Sequence, residues 1–377
     1  VTVSYDVAIA GLGAMGSAAA WQLAARGQRV IGFDRFRPPH AMGSSTGRSR
    51  IIREAYFENP GYVPLVRRAY ELWEDLEARS GQALLQRTGG LVIGPEQGPL
   101  VTGALASARL HGVAHETLAA ADIRARFPAF QPGPGMAGVL ETRAGVLMPE
   151  DAIGAMLQEA ARAGAELRYD EPVVSWAPDG DGVRVATAGG VVRASRLILS
   201  AGAWMPSLSA CSLPLTVTRQ VMFWVRPDGD PGVFQPGRFP VWLWETGEGP
   251  VWYGFPDLGD GPKVARHHGG LVTTAAAVAR DVATAEAVPL QAFLAGAIPL
   301  LNGPVRDARV CMYTNTPDED FVLDRHPDCP AVLIASPCSG HGFKFAPTIG
   351  ELLADLAMNS TPRFDLSPYR CDRFATT

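Results

Sequence analysis

Residues 5–16, Tyr5-Asp6-Val7-Ala8-Ile9-Ala10-Gly11-Leu12-Gly13-Ala14-Met15-Gly16, decide how this chain is read. The apolar run 7–10 has the length and content of a buried strand. The alanine-rich stretch 14–25, closed by Gly27, reads as a helix. Residues 29–33 form a second strand that ends at Asp34, which completes a βαβ start. Between the first strand and the helix, Gly11, Gly13 and Gly16 fit the GxGxxG pattern in the context that makes it informative. Gly11 permits the tight turn, Gly13 lets a pyrophosphate approach the backbone, and Gly16 lets the helix pack closely on the strand. The helix N-terminus offers free N–H groups to phosphate, and Asp34 is placed to accept ribose hydroxyls. The pattern implies a bound dinucleotide and does not separate NAD from FAD.

The rest of the chain bounds what such a site could serve. With 377 residues, two linked domains are expected. Apolar residues make up 47% and charged residues 19%, which fits a globular protein with large cores. A net charge of −5 offers no basic footprint for nucleic acid or anionic lipid. No apolar run reaches bilayer length. The first residues lead directly into a strand and do not resemble a signal peptide, and Ala375-Thr376-Thr377 does not read as a peroxisomal address. A soluble, cytoplasmic protein is expected. The five cysteines, Cys211, Cys311, Cys329, Cys338 and Cys371, are widely spaced without a CxxC pair. This argues against a disulfide framework and against a metal centre.

Further along, 38–49 reads as a loop, 62–78 as a helix and 88–94 as a strand. A helix over 151–163 precedes short strands at 167–169 and 173–176. A hairpin sets Val183 and Val185 opposite Val191 and Val192, and 196–200 is a separate buried strand. Residues 213–310 change character, with short Val-, Trp- and Phe-rich runs broken by Pro and Gly, as in an antiparallel sheet. Trp242 and Trp244 share a strand face there and are expected to pack in a core or at a domain interface. A buried strand at 331–336 and a helix at 347–358 return to the first style. The pattern is α/β at both ends and in the middle, with two β-rich inserts, so the nucleotide domain is expected to be discontinuous.

Four segments carry a resemblance: Pro38-Pro39-His40 onward to Arg50-Ile51-Ile52-Arg53-Glu54-Ala55-Tyr56; Tyr253-Gly254-Phe255-Pro256 with Lys263 and His267 beyond; Cys311-Met312-Tyr313-Thr314; and Ser339-Gly340-His341-Gly342-Phe343-Lys344-Phe345. In this order and spacing the chain resembles the monomeric sarcosine oxidase and N-methyltryptophan oxidase family, from Tyr5 to about Phe374. The resemblance implies a Rossmann-like FAD-binding domain (1–84, 147–212 and 318–377) interleaved with an antiparallel-sheet catalytic domain (85–146 and 213–317). It implies FAD attached through a thioether to Cys311, with Gly11, Gly13, Gly16, Asp34, Ser44, Arg50, Gly340, His341, Gly342 and Lys344 on the cofactor. Arg53 and Lys344, with Tyr313, would hold the substrate. Tyr253 and His267 would face its amine, although His268 is adjacent and either histidine could take that place. Lys263 would activate dioxygen and Arg50 would lie under the flavin ring.

The implied reaction is oxidation of a small amino acid with a secondary amine, giving an imine and hydrogen peroxide, by a monomer without nucleic-acid or membrane partners. The alternative is a dehydrogenase of cyclic imino acids, of the proline or pipecolate type, that uses another acceptor. Two departures bear on the substrate. Ser45-Thr46 and Arg48 stand where the family carries two histidines and an acidic residue, and Pro337-Cys338 replaces a Gly-Phe pair.

Overall fold

A computed structural model describes residues 4–247 and 249–374; Ala375-Thr376-Thr377 lies outside them. The opening unit forms as its sequence dictates. Strand Ser4–Ala10 is followed by helix Ala14–Ala25 and strand Val30–Phe33. Five parallel strands lie side by side in the order Glu166–Arg168, Val30–Phe33, Ser4–Ala10, Gly190–Leu199, Cys329–Ser336. A hairpin, Val173–Asp179 with Gly182–Thr187, pairs antiparallel with the start of Gly190–Leu199, and Val322–His326 borders Cys329–Ser336, to give eight strands.

Helix Ala14–Ala25 packs against helices Pro149–Arg162 and Ala346–Ala357. Its alanines are there for close approach: Ala18, Ala19 and Ala20 are fully buried. A Cβ on Gly350 of the facing helix would lie 2.5 Å from the Ala18 carbonyl carbon. This helix is buried nearly all round, which is why it carries no polar face.

The second sheet has nine strands, including Thr216–Val225, Val241–Glu245, Val251–Asp257, Pro262–His267 and Val305–Asn315. Its pairings are antiparallel except Gly90–Pro95 beside Val241–Glu245. A small sheet, Arg50–Ile52, Gly145–Leu147 and Leu85–Arg87, bridges the layers. Trp242, Trp244 and Trp252 are buried around Phe293, with the Trp252 and Phe293 rings stacked at 5.0 Å. They pack in one core cluster, the first of the two places expected for Trp242 and Trp244.

The structure differs from the sequence expectation in several places, helix Ala120–Arg126 among them. The expected hairpin strand and the buried strand 196–200 are one ten-residue strand, Gly190–Leu199, in which Val192 faces Val185 but Val183 faces Ala194. Helix Pro99–His111 lies where no element was read. Helix Val288–Ala297 interrupts the region read as uniformly β-rich. Among the described residues, no helix is long and apolar enough to cross a membrane.

Candidate active site

The ends of the parallel strands meet the second sheet at a cavity of about 520 Å³. This is the crevice at the carboxyl ends of strands where α/β folds bind ligands. One end is lined by Gly11, Gly13, Ala14, Asp34 and Ser200; the other by Arg53, Glu58, Tyr253, His267, Tyr313 and Lys344.

At the first end the glycines act as their spacing implied. Gly11 has φ +97°, and a Cβ there would lie 2.6 Å from the Ser200 carbonyl oxygen. A Cβ on Gly16 would lie 1.8 Å from the Gly11 carbonyl oxygen, so Gly16 serves packing and does not line the cavity. A Cβ on Gly13 meets no atom within 4 Å. Its smallness serves nothing in the protein itself, and it borders open space. The following helix has no side-chain cap, which leaves its first N–H groups for a ligand. Asp34 ties the second strand to the turn, accepting from Leu12 N at 2.7 Å and Phe36 N at 2.9 Å. A carboxylate keeps further lone pairs for hydroxyl donors.

In the middle, loop 41–49 is organised by Arg50. Its Nη2 donates to the carbonyls of Ser44 (2.8 Å) and Thr46 (2.6 Å) and lies 3.8 Å from Cys311 Sγ. Cys311 is 3% exposed, on strand Val305–Asn315 directly opposite Gln220. The hydroxyls of Ser44 and Thr314 are buried, without a hydrogen-bond partner among the described residues, and both residues line the cavity. Such orphan groups call for a ligand. A phosphate-ready helix end, a glycine facing open space, a ribose-ready aspartate and two unpartnered hydroxyls together fit a flavin dinucleotide.

Lys263 sits on strand Pro262–His267. It is 2% exposed. Its Nζ donates to the carbonyls of Gly47 (2.8 Å) and Ser49 (2.7 Å), and lies 4.0 Å from the centre of the Phe255 ring. Burial, with Arg50 nearby, depresses its pKa well below the usual lysine value. Among the expected residues, Lys263 and Gly16 are the two that do not line the cavity. Glu150 holds the same loop from below by accepting from Gly47 N and Arg48 N. Arg48 turns away, with φ +63°, to pair with Asp260 over the Trp224 ring. Ser45 remains on the cavity wall.

At the far end Arg53 and Lys344 are both 5% exposed. Arg53 Nη2 donates to both oxygens of Glu58 at 2.7 Å, and its Nη1 to the Ala55 carbonyl at 2.8 Å. Burial alone would raise the Glu58 pKa, but Arg53, His341 and Lys344 hold it below the usual value. Burial, then the Arg53 charge, brings Lys344 down to about 7, with Glu58 opposing. Burial also lowers His341 to about 4.

His267 lines the cavity. Its Nδ1 is 3.5 Å from the Tyr313 hydroxyl and its ring is edge-on to Tyr253. His268 turns to Glu319, 3.4 Å away. Burial pushes His267 well below the usual histidine pKa and raises both Tyr253 and Tyr313. Gly340, with φ +79°, lies against the Tyr313 ring; a Cβ on Gly342 would strike the Pro337 carbonyl.

The sequence reading gave no role to Tyr56, Glu58 or Glu150. Their signal is faint, since Tyr56 and Glu58 lie just three and five positions beyond Arg53.

The family model described as FAD dependent oxidoreductase matches residues 6–356. The monomeric sarcosine oxidase of Streptomyces avermitilis is 45% identical over 364 residues, 95% of this chain and 94% of that protein. The N-methyl-L-tryptophan oxidase of Salmonella typhimurium is 37% identical over 380 residues, 99% of this chain and 100% of that protein. The structure of NikD, an unusual amino acid oxidase essential for nikkomycin biosynthesis, matches with a TM-score of 0.85 at 26% identity, covering 98% of each chain. L-proline dehydrogenase from P. horikoshii shares the fold, with a TM-score of 0.86 at 19% identity over 100% of this chain and 99% of that one. These likenesses bear out the resemblance read from the four segments, and with a family match that spans the nucleotide turn and the Lys344 loop, this chain belongs to the FAD dependent oxidoreductase family of enzymes.

Proposed function

We propose that this protein is an FAD-dependent oxidase of small amino acids that carry a secondary amine, sarcosine or a close relative, with dioxygen as the electron acceptor. The observation that carries this reading is the pairing of Arg53 and Lys344. Two buried cations share one end of a cavity whose other end is built for a dinucleotide. Buried positive charge without matching negative charge is costly, and Glu58, the carboxylate that lines the cavity beside them, gives its hydrogen bonds to Arg53 and leaves Lys344 without an ion-pair contact among the described residues. A substrate carboxylate completes the balance. The names of the 45% and 37% identical relatives support the same substrate class.

In this reading Arg53 supplies a fork and Lys344 a point charge to the carboxylate. The anchored substrate extends toward Tyr253, His267 and Tyr313. Burial keeps His267 uncharged and both tyrosines protonated, so none of these three side chains offers the amine end an anion that would stabilise an ammonium. The cations Arg53 and Lys344 further favour the free amine, whose lone pair the oxidation requires. Bound FAD supplies two-electron oxidation of the amine to an imine, which water hydrolyses, and hydrogen peroxide is the product from dioxygen. Cys311 would carry the cofactor as a thioether, with its sulfur 3.8 Å from Arg50 Nη2. Lys263 would act on the charge that builds on oxygen, a charge that favours its ammonium form against the burial that depresses its pKa.

We assign the cofactor domain to 1–84, 147–212 and 318–377 and the catalytic domain to 85–146 and 213–317, in a cytoplasmic monomer. The two large sheets support that division, since the strands of the eight-stranded sheet fall within the first set of ranges and those of the nine-stranded sheet within the second. The test is oxygen uptake and peroxide release with sarcosine, N-methyltryptophan, proline, pipecolate and glycine. Peroxide with an N-methyl amino acid supports the reading; turnover with a dye acceptor but not with oxygen overturns the oxidase assignment.

A further inference from the structure

Tyr56 is fully buried between the two cations. The Arg53 guanidinium carbon is 4.4 Å from the centre of its ring and Lys344 Nζ is 5.0 Å from the same centre. Its hydroxyl is 2.5 Å from His341 Nδ1 and 3.3 Å from Lys344 Nζ. The direction of these bonds follows from one fixed point. His341 Nε2 lies 3.0 Å from the Glu319 carbonyl oxygen. A carbonyl only accepts, so Nε2 carries the hydrogen and, in the neutral ring, Nδ1 is the acceptor. Tyr56 must then donate its single proton to Nδ1, which leaves the phenol oxygen as an acceptor facing Lys344. A second acceptor, the His341 carbonyl, receives Lys344 Nζ at 2.7 Å. An ammonium has three donors; two are fixed within the protein and the third is left for a ligand in the cavity that Lys344 lines.

The support is rigid. His341 stacks on Phe321 at 4.9 Å, Tyr56 packs edge-on to Phe345, and the Tyr56 carbonyl accepts from the Ser107 hydroxyl.

We propose that Tyr56, with its hydroxyl polarity set by His341, is a positioning residue that aims the Lys344 ammonium at a bound carboxylate and holds it beside Arg53. The proposal rests on reading Arg53 and Lys344 as the carboxylate site. It gives His341 a role in substrate capture rather than on the cofactor. The charged and titratable groups around Lys344 are Arg53, Glu58, His341, Tyr56 and, across the cavity, His267.

The test is calorimetric titration of acetate into the holoenzyme across a pH series, for the wild type, Tyr56→Phe, Lys344→Met and the double variant. Phenylalanine keeps the ring under both cations and removes only the hydroxyl. Tyr56→Phe should weaken acetate about tenfold or more, the low end of the range for one bond to a charged group. It should also move the loss of acetate binding to lower pH, because the charged ammonium has lost an acceptor that favours it. Neither effect should appear in the Lys344→Met background. An unchanged affinity and pH midpoint in Tyr56→Phe, or an equal loss in both backgrounds, overturns the proposal. An unchanged affinity in Lys344→Met overturns the carboxylate site itself, and the proposal with it.

Discussion

Arg53 and Glu58 form a two-pronged ion pair in which Nη2 of the arginine lies 2.7 Å from each oxygen of the glutamate. A substrate carboxylate that docks on Arg53 must therefore compete with a resident one. Replacing Glu58 by Gln keeps the shape and removes the competing charge. The Michaelis constant for sarcosine is expected to fall about threefold or more, with the turnover number little changed, while the melting temperature drops because a buried cation loses its counter-ion. Steady-state kinetics and thermal melts check this; a raised Michaelis constant would mean that Glu58 orients Arg53 rather than occupies it.

Lys344 gives a pH dependence with a definite sign. Its pKa is lowered to about 7, by burial first and by Arg53 second. Only the protonated form attracts a carboxylate, so affinity is full below that value and declines as pH rises through it. Binding an anion favours the ammonium, and acetate should therefore bind with net uptake of protons at pH values above about 7. Calorimetry in buffers of different ionisation enthalpy measures the uptake; none at any pH would contradict it.

Cys311 is the cysteine placed against Arg50 and the cavity. Acid precipitation of the wild type should leave a yellow pellet, and Cys311→Ala should release its flavin to the supernatant. Cys211, Cys329 and Cys371 do not line the cavity, and their replacement by Ala should leave the pellet yellow.

The fingerprint glycines separate fold from ligand. Gly16→Ala places a methyl 1.8 Å from a backbone oxygen and should destabilise the protein with or without cofactor. Gly13→Ala meets nothing within 4 Å. The apoprotein of this variant should melt like the wild type yet bind FAD at least about tenfold more weakly, since the backbone can no longer approach the pyrophosphate. Equal FAD affinity would remove Gly13 from the cofactor site.

Lys263→Met should slow flavin reoxidation by oxygen by about 10²-fold or more, the scale on which one preorganised charge acts, while the reductive half-reaction stays near wild type. Stopped-flow measurement of each half-reaction separates the two. An equal loss in both would assign Lys263 to holding the Gly47 and Ser49 carbonyls instead.

What could be read in advance followed local chemistry. Helix Ala14–Ala25 has the bounds its glycines implied, and the tryptophans are core because strand alternation put Trp242 and Trp244 on one face. Helix Pro99–His111 was passed over although Leu100, Val101, Ala104 and Ala108 mark one buried stripe; Gly103 and Thr102 within it weaken the helical signal. The length of strand Gly190–Leu199 was hidden because its first half lies against the exposed hairpin and its second half in the core, so one strand carries two polarity patterns. At the site, the cavity-lining residues followed motif and order, but the surroundings of Lys263, Arg48 and Tyr56 depend on which strands meet. Nothing beside Lys263 in the chain announces that its partners are the carbonyls of Gly47 and Ser49, more than two hundred residues away.

Anaerobic mixing of the holoenzyme with sarcosine, followed through the visible flavin absorbance, tests the central claim most directly, with sarcosine methyl ester as the control that lacks the carboxylate charge. Oxidation of an amine held by Arg53 and Lys344 requires rapid bleaching by sarcosine, or by a larger N-methyl amino acid, and slow or no bleaching by the ester. A protein that is yellow but bleached by no N-methyl amino acid, or equally fast by the ester, would contradict it.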